Sequence, residues 1–136
     1  NYSIKLRKKI NSDEIEEIWN GDEEKEKLKT EYFGVGDLEV SYNDKYLGYS
    51  LDIKGSEYYT IFIRDIKTKK IITREITETS GGITFSLDDK YIFYSKIMVL
   101  SVNFVVLGKQ DLAAEFGKKG TVTDLLVNQQ KVVPHV

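Results

Sequence analysis

The sequence predicts an all-β protein, and within that class a partial β-propeller: about one full four-stranded blade, parts of its neighbours, and a C-terminal tail. Three observations predict it. Nine Tyr, six Phe and frequent Ile, Val and Thr make the 136 residues a strand-forming chain. Apolar and polar residues alternate in short runs broken by Asn, Asp, Gly and Lys. Finally, SYNDKYLGYS at 41–50 returns as SLDDKYIFYS at 86–95, with six identities in ten and a spacing of 45 residues. Four short strands per 40–50 residues is the period of a propeller blade.

Taken in order, Ser3 to Arg7 (SIKLR) alternates polar and apolar side chains, as a half-buried strand does. Glu14 to Trp19 (EIEEIW) follows an Asn-Ser-Asp turn and fits a second strand or a short helix. Asn20 to Thr30 is polar except for Leu28, which gives a connecting loop or a short solvated helix; the Asp22 to Lys29 run reads as a solvated face. A strand follows through Leu38 and Val40. Asn43, Asp44 and Lys45 then turn the chain, because Asn and Asp tolerate left-handed geometry and bond their own backbone. Further strands are predicted at Tyr46 to Leu51, Tyr58 to Asp65 and Ile71 to Ile76, with a loop at Asp52 to Glu57 and a turn at Lys67 to Lys70. After Ser80-Gly81-Gly82 the cycle restarts with Ile83 to Phe85, the Leu87 to Lys90 turn, and Tyr91 to Ser95. The repeated segment is thus the first hairpin of two successive blades.

Composition narrows the function. Twenty basic against 22 acidic residues leave a formal charge of −2, so the basic field of a nucleic-acid partner is missing. The longest apolar run, Ile97 to Leu107, is too short and too polar to span a bilayer, so no membrane is implied. The absence of cysteine removes disulfides and thiolate metal sites. The opening NYSIKLRKKI has no apolar signal core, and a cytoplasmic location is expected. Because the chain starts at Asn1 rather than Met, a processed piece or a fragment of something longer is expected.

The run from Glu31 to Ile76, followed by GGITFSLDDKYIFYS, resembles the N-terminal propeller of the prolyl oligopeptidase family, and within it the oligopeptidase B (protease II) branch. Leu38, Glu39, Val40, Ser41, Lys45, Leu47, Tyr49, Ser50, Asp52, Gly55, Glu57 and Tyr59 carry the resemblance. Asp65, Ile66 and Thr68 supply the strand and turn that follow, and the likeness runs over about residues 2–96. The family's Pro-Asp-Gly turn is Tyr42-Asn43-Asp44 here, and a Trp of the next blade is Phe85. The resemblance implies a serine-type peptidase that cleaves short peptides. Its propeller gates access to a separate α/β-hydrolase domain carrying a Ser, Asp and His triad.

No catalytic, cofactor-binding or metal-ligating residue is assigned. The chain has no Gly-x-Ser-x-Gly elbow, and its single histidine, His135, sits one residue from the end and reads as an unstructured side chain. Alone, it is predicted to be inactive. Gly34-Val35-Gly36 is half of a dinucleotide fingerprint, lacks the third glycine and precedes a strand. Asp52 and Glu57 could pass for paired carboxylates. In a blade they are expected to fix their loop and meet Arg or Lys of a neighbour, while Asp88 and Asp89 are turn formers. No spacing matches a calcium or zinc site.

The expected division is 1–97, partial propeller domain, and 98–136, an unassigned tail of β or α+β structure. In the tail, Met98 to Leu107 suits one or two strands, Asp111 could cap a short LAAEF helix ending at Gly117, and Thr121 to Val127 suits another strand. It has two candidate origins: a frameshift or fusion near Ile97, or a genuine capping element. The expected partners are the missing catalytic domain, short peptides in the full enzyme, and further copies meeting through exposed strand edges. A non-enzymatic module that binds protein through its blade edge, and a gene remnant, are the competing readings.

Overall fold

The structure is a computed structural model and describes residues 4–99, 103–112, 121–125 and 132–135. It opens with an antiparallel hairpin, β1 (Ile4–Lys8) and β2 (Ile15–Asn20). A bulge shifts the register between Lys5 and Leu6, so Ile18 and Trp19 are both buried, at 4% and 1% exposure. The alternation in β1 runs opposite to expectation: Lys5 and Arg7 are half-buried, while Ile4 and Leu6 are exposed. The inward face is taken by Trp19, opposite Lys5, and the apolar side chains are left on the outer face.

Helix α1 (Gly21–Leu28) follows directly. The Asn20 side chain starts it by accepting the N–H groups of Asp22 and Glu23, at 3.0 and 3.3 Å. Three acidic residues occupy its first turn, and Lys29 ends it in the left-handed region at φ 53°.

Strands β3 (Gly34–Val40), β4 (Tyr46–Asp52), β5 (Tyr59–Asp65) and β6 (Ile76–Thr79) form an antiparallel meander, the complete blade. The fourth strand lies later than the predicted Ile71 to Ile76, where only one bridge, Arg64 to Ile71, forms. Regular pairing waits for Ile76 and Thr79, whose side chains reach the buried face, and the Thr79 hydroxyl also donates to the Tyr59 carbonyl at 2.9 Å.

A second meander contains β7 (Thr84–Phe85), β8 (Tyr91–Val99), β9 (Asn103–Asp111), β10 (Thr121–Leu125) and β11 (Val132–His135). A single pair, Thr79 with Lys96, joins it to the first, and the sheet is open, with β3 and β11 as its end strands. β8 runs through position 97, and β9 pairs along its whole length, so part of the tail extends the blade pattern. The Tyr94 ring lies over Gly108 on the paired strand, where a Cβ would collide with it. Asp111 closes β9; the helix expected after it lies outside the described residues. The backbone of His135 pairs with Val122 in β11, and its side chain, expected to be unstructured, lies outside what the structure describes.

Both faces of β4 are buried, as a strand between two neighbours requires. On one face Leu47, Tyr49 and Leu51 pack with Ile18, Trp19 and Phe33. On the other, Ile61 and Ile63 of β5 meet Ile83, Phe85, Ile92 and Tyr94 of the second meander. Four of these side chains (Leu47, Ile61, Ile63 and Ile92) are 0% exposed, each worth about 2 kcal/mol of burial.

Candidate functional site

The repeated hairpins are the same object atom by atom. In the first, the Ser41 hydroxyl donates to Asn43 Oδ1 at 2.7 Å and accepts the Tyr46 N–H at 2.9 Å, and the Asp44 N–H donates to the Ser41 carbonyl at 3.0 Å. In the second, Ser86, Asp88, Tyr91 and Asp89 repeat these bonds at 2.7, 3.0 and 2.9 Å. Asp44 and Asp89 stand at the same place with φ near 60°, at 60° and 56°. Asp88, as expected, is a turn former: the Ser86 hydroxyl and the Lys90 N–H hold its carboxyl below the usual range.

Asp89 does more. Its carboxylate is buried and reaches back to the first turn, accepting the Tyr42 N–H at 2.9 Å and the Asn43 N–H at 2.6 Å. The clamp needs a backbone N–H at position 42, where the family's turn has proline, and a carboxylate at position 89. Proline at position 42 has no N–H to give, and glycine at position 89 has no carboxylate. A second seam lies nearby. Asp37 accepts the Ile83 N–H at 3.0 Å, and Ser50 donates to the Gly81 carbonyl at 2.7 Å while accepting the Asp37 N–H. Gly36 belongs to this seam rather than to any phosphate loop, because a Cβ there would stand 2.5 Å from Ser50 Oγ and 2.9 Å from the Tyr59 ring.

Asp52 fixes its loop, as predicted, but by another route. Its carboxylate accepts the backbone N–H groups of Lys54, Gly55, Ser56 and Glu57, and no Arg or Lys side chain bonds it among the described residues. Burial pushes its pKa up and these four donors outweigh it, leaving the carboxyl below the ordinary range. Glu57 is exposed and contributes its N–H, so the two do not form a carboxylate pair.

The residue the sequence missed is Glu24. The Asp22 to Lys29 run is not wholly solvated: Glu24 is 8% exposed and bonds Arg64 of β5 at 2.8 Å. The same guanidinium donates to the Ile18 carbonyl at 2.9 Å and lies 5.3 Å from the Tyr49 ring centroid. Trp19 and Phe62 flank that ring, with centroids at 5.8 and 5.2 Å. Burial, then the Glu24 charge, push the Tyr49 hydroxyl up to about 12. Nothing local signals this pairing, because the partners are 40 residues apart.

Chemically, these groups join blades. The hydroxyls of Ser41, Ser50 and Ser86 are each spent on structural bonds. Among the described residues no three His, Asp or Glu side chains gather as a metal site, and no helix is long and apolar enough to cross a membrane.

Comparison with known proteins agrees with this architecture. The family described as "Prolyl oligopeptidase, N-terminal beta-propeller domain" matches residues 1–100. Dipeptidyl aminopeptidase BI of Pseudoxanthomonas mexicana is 31% identical over 64 residues, 47% of this chain and 9% of that protein. Oligopeptidase B from Leishmania major superposes with a TM-score of 0.68 at 12% identity, over 94% of this chain and 23% of its own. The chain therefore spans under a quarter of the length of either relative. With the family matched over most of its length and two blade-like meanders clamped turn to turn, the chain belongs to the N-terminal β-propeller domain family of the prolyl oligopeptidases.

Proposed function

We propose that the chain is part of the gating propeller of a serine-type oligopeptidase that cleaves short peptides, with specificity of the oligopeptidase B kind. The catalytic α/β-hydrolase domain is its partner, and residues 1–97 are the family-patterned portion, with 98–136 as the tail. The carrying observation is the family match over residues 1–100 on a sheet with two buried blade faces. In this role the propeller binds no reacting atom. It narrows access to the triad, so long or folded polypeptides are excluded, and the enzyme works in the cytoplasm.

The test is hydrolysis of Lys- and Arg-containing peptides by an oligopeptidase catalytic domain, with and without this chain. The chain alone is expected to cleave nothing. Added to the catalytic domain, it is expected to bind and to suppress cleavage of long substrates more than of short ones. A catalytic domain that ignores the chain at every substrate length would remove the gating role.

A second reading rests on Ile4, Leu6 and Ile15, which share the outer face of the first hairpin at 51%, 54% and 62% exposure. An apolar strip on an edge hairpin favours association with another protein or with a second copy. Saturable binding of one protein partner, without any effect on peptidase action, would favour that reading.

A further inference from the structure

Leu38 and Val40 of β3 pack with the cluster around Trp19, so alternation turns Asp37 and Glu39 to the other face, towards the second meander. The register agrees. Glu39 lies opposite Gly48 on β4, and a Cβ on Gly48 would stand 3.1 Å from the Ile83 side chain. Ile83, in the linker between the two meanders, thus lies against this pair, and its N–H donates to Asp37 Oδ2 at 3.0 Å. The other Asp37 oxygen accepts the Leu38 N–H at 2.9 Å. Carboxyls two residues apart on one face of a strand are within reach of each other, and like charges so placed favour one shared proton. Few other charges surround them. The segment 80–85 (SGGITF) carries none, and Gly48 has no side chain. Lys5 of β1, half-buried, is the cation that acts on Glu39. Desolvation of the Glu39 carboxyl, then the Asp37 charge and hydrogen bond, raise its pKa above the ordinary glutamate value, and Lys5 opposes the rise.

We propose that Asp37 and Glu39 hold one proton between them and form a proton-sensitive latch on the seam between the two meanders. With the proton in place, the Glu39 carboxyl donates to Asp37 and fixes the carboxylate that accepts the Ile83 N–H. When the proton leaves, two negative charges face each other, the exposed Glu39 side chain turns to solvent, and the Asp37 carboxylate loses its support. Asp37 and Ile83 lie on opposite sides of the seam, so this local event changes how firmly the two meanders are joined. The sign is opposite to that of Asp52. A carboxyl whose folded pKa is raised stabilises most below its unfolded value, about 4.3, and its contribution is lost as pH rises through the folded value. The seam is therefore tighter in mild acid. The inference rests on the seam geometry and is independent of peptidase gating.

Amide exchange at Ile83 in the full chain, corrected for the intrinsic effect of pH, tests the latch from about pH 4 to about pH 7, across the carboxylate range and above it. Protection is expected to fall about two- to tenfold over this range, the size of an ordinary hydrogen bond. Glu39→Gln, whose amide donates to Asp37 at every pH, should keep the low-pH protection throughout. Lys5→Gln should move the midpoint of the fall upward, because the cation that favours ionised Glu39 is gone. Ile83 protection that does not fall with pH would overturn the proposal, and so would an equal fall in Glu39→Gln. A midpoint unmoved by Lys5→Gln would overturn it too.

Discussion

Arg64 shows how much one side chain can organise. Its guanidinium reaches α1 through Glu24, β2 through the Ile18 carbonyl, and β4 through the Tyr49 ring. Both ends of the ion pair are nearly dry, so removing one leaves an uncompensated buried charge. Glu24→Ala is expected to lower stability by about 3–5 kcal/mol in denaturant titration, while Glu23→Ala on the exposed side of the same helix should stay within about 0.5 kcal/mol. Tyr49 carries the pH consequence. Its folded pKa of about 12 lies above the ordinary 10, so the fold favours the neutral phenol. The stability tied to this preference is complete below pH 10 and is lost as pH rises from 10 towards 12. The loss amounts to about 3 kcal/mol at the far end. Tyr49→Phe should flatten that alkaline decline in melts recorded across this window.

At the scale of the element, the repeated turn is the unit of design. Its serine, Asx and lysine residues were legible in the sequence because they bond within five positions of one another. The role of Asp89 was not, since the N–H groups it accepts lie 46 and 47 residues away. The Asp89→Ala variant is expected to cost about 2–4 kcal/mol, for two backbone donors left without a partner. Asp44→Ala, the same change in the equivalent turn but with no clamp to lose, should cost only the left-handed strain at φ 60°, about 1 kcal/mol. Equal losses from the two variants, by thermal or chemical melting, would mean that the turns are held by something other than the clamp. β6 teaches the complementary lesson. Ile71 to Ile76 has the composition of a strand, but pairing begins at Ile76 because the register beside β5 is set by which side chains reach the core.

For the whole molecule, two meanders packed face to face put β4 and β5 at the centre, with apolar clusters on either side. Amide exchange should be slowest there and faster in β1, whose apolar face is open. Acid should unfold the chain by a definite route. The carboxyls of Asp52, Asp65 and Asp88 are held below their ordinary values by hydrogen bonds. Their stabilisation is therefore present above the unfolded value of about 4 and is lost as pH falls through the folded ones. Asp52→Asn should blunt this loss in an acid titration followed by circular dichroism, because Asp52 is the buried member of the three.

The sequence by itself determined the β class, the 45-residue repeat, the hairpin turns, the Asp52 loop and the family resemblance. All of these are written in neighbouring residues, through alternation, turn chemistry and side-chain bonds to the nearby backbone. Only the tertiary structure decided that Glu24 is buried, that Ile4 and Leu6 face outward, that Asp89 clamps the preceding blade, and that part of the tail continues the second meander through β9. Each of these depends on groups brought together from distant positions in the chain, and no local pattern encodes which face of a strand a neighbouring blade will cover.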